Sequence, residues 1–211
     1  ALAEGARIGM TVVPGVELST KRPAGGSLHM LGYWIRQDHA ELNEALADIR
    51  AGRDDRNRRM FAKLAELGVP IDAKRVAELA GGEVVGRPHI AAAMVEAGHV
   101  KSKQEAFDRY LAQGKPAYQG RRRLGPTEAI ALLHAAGGIS VLAHPGIHGI
   151  EREVLKEEIK AMVDAGLDGI EIHYPHHDAA TKEWLLGLAS EWDLAVTGGS
   201  DFHGEFKTNQ P

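Results

Sequence analysis

The sequence predicts an α/β fold interrupted by a helical insertion, and three observations carry that prediction. From Pro126 onward, helical stretches alternate with short apolar runs, the rhythm of right-handed βαβ units around a parallel sheet or barrel. Residues 36–123 show helical periodicity and no strand character. Polar side chains able to bind metal recur directly after the apolar runs, where α/β sheets and barrels place their sites.

Composition narrows the field. The chain has 211 residues, 44% hydrophobic and 26% charged, which is enough to bury a sizeable core and rules out wholesale disorder. No window approaches the roughly 18 apolar residues of a membrane-spanning helix. With no Cys, a disulfide scaffold, a thiolate zinc site and a cysteine nucleophile are excluded. The same absence fits a reducing compartment, so a cytoplasmic location is expected. A net charge of −4 argues against general coating of nucleic acid. Eleven His residues stand out.

Element by element, residues 1–9 read as the tail of a helix, without the basic and apolar regions of a signal peptide. Residues 11–16 and 27–34 read as strands. A long helix over 41–67 is marked by Leu42, Leu46 and Ile49, then Met60, Phe61, Leu64 and Leu67, and stops at Gly68 and Pro70. A shorter helix over 72–80 stops at Gly81-Gly82. Arg87-Pro88-His89 opens a third, closed by Gly98. Ser102 and Glu105 form a capping box for a fourth, ending near Gly114. Helices over 127–136, 151–165 and 179–192 then alternate with strands over 138–143, 168–172 and 194–197. The expected division is a sheet-forming domain of residues 1–35 and 124–211, with residues 36–123 inserted.

Four strand ends carry the chemistry: Glu17 after the first, His144 after 138–143, His173, His176 and His177 after 168–172, and Asp201 with His203 after the last. Asp201 and His203 alternate onto one side of an extended segment and can reach a common ion. Pro145 stiffens the exit from His144 and fixes its direction. For Glu17, and for His29 inside an apolar strand, the residues alone leave a ligand role and a structural role equally open. His39, His99, His134 and His148 lack partner spacing and read as surface or structural. Imidazole and carboxylate donors without sulfur favour zinc, manganese or iron over calcium. Several converging donors imply more than one ion, an arrangement suited to phosphate-ester hydrolysis. Arg87, before a Pro-started helix, is placed to take a phosphate.

Pro-Gly-Val-Glu, His-Met-Leu-Gly-Tyr, Gly-Arg-Pro-His-Ile, Ala-His-Pro-Gly, Gly-Ile-Glu-Ile and Gly-Ser-Asp-Phe-His-Gly, in this order, resemble the PHP (polymerase and histidinol phosphatase) superfamily. The stretch from Gly86 through His99 to Leu111 is similar to its bacterial stand-alone branch of metal-dependent phosphoesterases acting on nucleotides. The resemblance implies a distorted (β/α)₇ barrel whose site is capped by the helical insert. It implies Glu17, His29, His144, Asp201 and His203 as ligands to two or three divalent ions (manganese, zinc or iron). It further implies Arg87, His89 and His177 as holders of the scissile phosphate, with His177 donating a proton to the leaving group. The implied substrate is a nucleoside 3′,5′-bisphosphate, a short oligonucleotide or an RNA 5′ end, with no membrane and no stable protein partner. Histidinol phosphatase activity and a non-catalytic module that binds nucleic acid or a polymerase are the competing readings. Family members begin with a strand ending in His-x-His, an Asp and a Thr-Asp-His-Asp segment, none of which occurs in this sequence. The barrel is therefore expected to lack its first strands, and the 211-residue chain to be weakly active or inactive. Phosphatase turnover by this chain equal to that of a full-length relative-like protein would overturn the expectation.

Overall fold

A computed structural model describes residues 1–82, 84–121 and 123–202. The chain forms two compact units, one of Ala1–Asn43 with Arg123–Pro211 and the other of Glu44–Arg122. Helix α1 (Leu2–Ile8) leads the first unit. Strands β1 (Gly15–Lys21) and β2 (Ser27–Tyr33) follow, and helix α2 (Ala40–Glu66) leaves it. After the second unit the chain returns as α6 (Pro126–Ala135), β3 (Ile139–Ala143), α7 (Arg152–Asp164), β4 (Gly169–His173), α8 (Ala179–Glu191) and β5 (Ala195–Gly198).

One five-stranded sheet results, ordered β1-β2-β3-β4-β5. It is mixed, where the sequence rhythm suggested a parallel sheet. β1, β2 and β3 pair antiparallel, because only a short turn joins β1 to β2, whereas β3, β4 and β5 pair parallel across helical crossovers. The pleat sorts β1 and β2 into two faces. Leu18, Thr20, Leu28 and Met30 are at most 2% exposed and face the core. Glu17, Ser19, His29 and Leu31 therefore share the opposite face. β3 is buried on both faces, as its unbroken apolar run requires.

Helix termini are fixed locally. Glu128 accepts from the Gly125 N–H (2.6 Å), with Pro126 at the first turn of α6. Asp178 accepts from the Thr181 N–H (2.7 Å) at the start of α8. His134, Ser140 and Asp168 tie the end of α6 to the entrances of β3 and β4. One Asp168 oxygen meets the Ser140 N–H (2.7 Å), the Ser140 hydroxyl (2.9 Å) and His134 Nε2 (2.7 Å).

In the second unit, α3 (Ala73–Leu79), α4 (Arg87–Glu96) and α5 (Lys103–Ala106) pack with the rest of α2. Met60, Leu64, Val76, Ile90, Met94 and Leu111 are fully buried there. The expected helix over 102–114 is shorter: α5 passes into a π-helical turn, Phe107–Leu111, which places Leu111 in the core. Among the described residues no helix is long and apolar enough to cross a membrane.

Burial opposes ionisation of Asp168, but the Ser140 N–H, His134 and the Ser140 hydroxyl outweigh it and hold the carboxyl below its usual range. A depressed carboxyl contributes stability above its unfolded value of about 4, and the contribution is lost as pH falls through the folded value. Asp168→Ala is expected to cost about 1 kcal/mol at pH 7, discounted because the side chain is 36% exposed. Urea unfolding should show the gap between the two proteins narrowing below about pH 4.

Candidate metal centre

Pro14, which lacks an N–H, precedes the first paired residue, so β1 begins at Gly15. Glu17 consequently lies inside the strand rather than after it, contrary to the sequence reading. Its partner across β2 is Leu31, and His29 pairs with Ser19. Glu17 and His29 are thus diagonal neighbours on one face. His29 also pairs with Ala143 on β3, which brings the next residue, His144, beside both. Glu17, His29 and His144 each offer a ligand atom, and these atoms lie within 4.8 Å of one another.

The geometry inside this group suits a cation. Glu17 Oε1 is 2.6 Å from His29 Nδ1 and 3.6 Å from His144 Nε2. The His29 and His144 rings meet edge-on with centroids 5.1 Å apart. His29 Nδ1 and both ring nitrogens of His144 are buried, yet none has an aligned hydrogen-bond partner among the described residues. Buried polar nitrogens left in this way ask for an ion or another ligand. One carboxylate and two imidazoles form a donor set for zinc, manganese or iron. Burial alone would raise the Glu17 carboxyl, but His144 and His29 outweigh it and hold it below the usual carboxylate range. Burial lowers His144, and the Glu17 carboxylate reverses the effect and raises it.

His144 sits at the exit of β3 in a left-handed conformation, φ 28° and ψ 54°. Two side chains hold it there. Glu171, 4% exposed on β4, accepts the His144 N–H at 2.9 Å. His177, also 4% exposed, accepts the Gly146 N–H at Nε2 (3.1 Å), so its Nδ1 carries the proton toward the Ile172 carbonyl (3.0 Å). Burial pushes His177 below its ordinary value, consistent with this neutral form. Gly146 has no room for a side chain: a Cβ would stand 2.5 Å from Thr181 Cγ2 and 2.9 Å from His177 Cδ2. Gly199 is equally confined, since a Cβ there would stand 2.7 Å from Glu171 Oε1. Glu171 was visible in the sequence only as part of a motif. The signal for its role was its position on the face that Glu17, His29 and Ala143 occupy.

The remaining sequence-predicted residues fall into three groups. Asp201 lies within electrostatic reach of His144, Glu171 and Tyr174, at the same edge of the sheet. His203 lies outside the described residues. Arg87 and His89 belong to the helical unit. The Arg87 guanidinium lies 5.8 Å from the Phe107 ring centre and 5.5 Å from that of Tyr118, and donates to the Leu111 carbonyl (3.2 Å). His89 Nδ1 accepts the Gly86 N–H (3.1 Å) at the start of α4, which leaves the neutral ring's proton on Nε2. His148, read as surface or structural, stands beside the cluster, with ring centres 5.4 Å from His144 and 6.1 Å from His29. His134 is structural in the manner expected, bound to Asp168.

No protein-family model matches the chain. It is 33% identical to a 5′-3′ exoribonuclease of Haemophilus influenzae over 93% of its own length and 71% of that protein. It is 32% identical to a 3′,5′-nucleoside bisphosphate phosphatase of Chromobacterium violaceum over 96% of its length and 71% of that protein. A crystal structure described as a metal-dependent phosphoesterase from Bifidobacterium adolescentis superposes with a TM-score of 0.84 at 34% identity, covering 99% of this chain and 74% of that one.

Glu171→Gln is expected to weaken divalent-metal binding by about tenfold to a hundredfold while leaving the far-UV circular dichroism unchanged. Calorimetric titration of the metal-free full-length protein with Mn²⁺ measures this. Gly146→Ala, which drives His177 and Thr181 apart, should cost about 1–3 kcal/mol in urea unfolding.

Proposed function

This chain belongs to the phosphoesterase family of the exoribonuclease and nucleoside bisphosphate phosphatase just described, and from that premise we propose that it releases phosphate from nucleotides or trims RNA from the 5′ end. It is a hydrolase of phosphate esters. The observation that carries the finer reading is the Glu17–His29–His144 group, whose buried ring nitrogens have no aligned hydrogen bond among the described residues and face only the Glu17 carboxylate as a charge partner within it. We place it in the PHP superfamily, with a distorted barrel and a cytoplasmic location.

Glu17, His29, His144, Asp201 and His203 would hold two or three divalent ions, manganese, zinc or iron. The chemistry such ions supply when bound is an acidified attacking water and neutralised charge on the phosphate. The chain's own residues do the rest. Glu17 stays ionised across the working pH range, because His144 and His29 hold its carboxyl down against burial. Arg87 is presented as a flat fork by Phe107, Tyr118 and the Leu111 carbonyl, the posture needed to grip non-bridging phosphate oxygens. His89, with its proton on Nε2, adds a neutral donor. His177 has both ring nitrogens occupied by backbone, so we assign it to holding the His144 turn rather than to the proton transfer implied by the resemblance. The leaving-group proton then comes from solvent or from a neighbouring imidazole.

Full-length protein with Mn²⁺ should release phosphate from nucleoside 3′,5′-bisphosphates or shorten 5′-phosphorylated RNA, and a chelator should abolish the activity. Phosphate release from histidinol phosphate alone would overturn the nucleotide assignment. Glu17→Gln and His144→Ala are expected to lower kcat/KM by about a hundredfold or more, and Arg87→Ala mainly to raise KM by about tenfold. Steady-state phosphate release checks all three.

A further inference from the structure

We propose that His148 is a further metal-directed residue of this chain, its Nε2 serving the same cation cluster as Glu17, His29 and His144; the inference rests on the phosphoesterase reading above. Nitrogen accounting singles it out. His134 Nε2 meets Asp168 (2.7 Å), His99 Nε2 meets the Pro70 carbonyl (2.7 Å), and His177 has backbone partners at both nitrogens. His148 Nε2 is buried without a hydrogen-bond partner among the described residues, a condition it shares with His29 Nδ1 and His144 Nε2.

Its position matches its accounting. A 3₁₀ turn, Pro145–Ile147, separates His144 from His148, so the two imidazoles stand on either side of one rigid turn. His177 grips that turn at the Gly146 N–H. The His144 and His148 ring centres are 5.4 Å apart, and those of His29 and His144 are 5.1 Å apart. Metal–nitrogen bonds of about 2.1 Å put ring centres about 3 Å from an ion, so two imidazoles sharing a tetrahedral ion sit about 5 Å apart. His148 therefore stands to His144 as His29 does. Its ring centre is 6.1 Å from that of His29, so the three imidazoles form a nearly equilateral triangle, with His148 one step outside the Glu17–His29–His144 group. That step suits a donor to the neighbouring ion of a cluster with ions about 4 Å apart. None of the six motifs in the sequence contains His148, which is why the spacing of the chain did not reveal it.

The test is titration of metal-free, full-length protein with Co²⁺, followed by calorimetry and by the visible absorption bands of the bound ion. His148→Ala and His148→Gln are expected to weaken at least one cobalt site by about tenfold or more and to alter its absorption bands, with far-UV circular dichroism unchanged. Gln preserves bulk and polarity, so a folded H148Q carries the comparison if H148A does not fold. Wild-type affinity, stoichiometry and absorption in both variants overturn the proposal, including the case in which only KM changes, which would put His148 on the substrate. A wild-type protein that takes up no cobalt overturns the metal-centre reading itself, and the His148 assignment with it.

Discussion

Everything at the candidate metal centre depends on the backbone of His144 being held where an L-residue is reluctant to sit. Its φ of 28° places it in sparsely populated space, a conformation that costs on the order of 1–3 kcal/mol. Two hydrogen bonds oppose that cost, a buried one from the His144 N–H to Glu171 and a half-buried one from the Gly146 N–H to His177. Each contributes about 0.5–1.5 kcal/mol net, so together they are of the size needed to hold the turn. The turn in turn aims an imidazole back across the sheet, toward Glu17 and His29.

The architecture was legible because local signals agree with the final packing. The Ser102–Glu105 pair and the Pro88 start mark helix beginnings that the structure reproduces within a residue or two. Strand pairing was harder to read. Nothing in residues 11–35 announces that β1 and β2 run antiparallel to each other, since apolar runs look alike in either sense. The start of β1 at Gly15 followed from Pro14, but that constraint became visible only once the ladder existed. The cluster could be read in part: His144 and Asp201 stand after strands and advertise themselves, whereas Glu17 and His29 needed the register to become neighbours. His148 and Glu171 act through tertiary position alone, so no sequence spacing encodes them.

The helical unit divides its labour differently. Its core cluster contains Met60, Leu64, Val76, Ile90, Met94 and Leu111, with Arg56 and Asn57 also buried in that unit. Within that unit Arg87 lies against two aromatic faces and donates to one carbonyl. The π-helical turn at Phe107–Leu111 supplies two of those three contacts, the Phe107 ring and the Leu111 carbonyl. A π turn widens the helix and re-aims side chains, which makes it a common companion of functional positions.

Comparison of two histidine settings in the first unit shows what the fold leaves unfinished. At His134, Ser140 and Asp168, one carboxylate oxygen satisfies a backbone N–H, a hydroxyl and a ring nitrogen together. That arrangement is complete in itself and serves only to join α6, β3 and β4. At the other end of β3, His29 Nδ1 meets Glu17 Oε1 at 2.6 Å, while both nitrogens of His144 and His148 Nε2 are buried without an aligned hydrogen-bond partner among the described residues. An unsatisfied buried polar atom costs about 1–3 kcal/mol, so such a grouping is expensive for a domain of ordinary stability. A fold that satisfies its histidines at one end of a strand, and leaves them open at the other, is suited at that end to a positive partner. Binding that partner relieves the cost, which couples the stability of the sheet edge to the occupancy of the site.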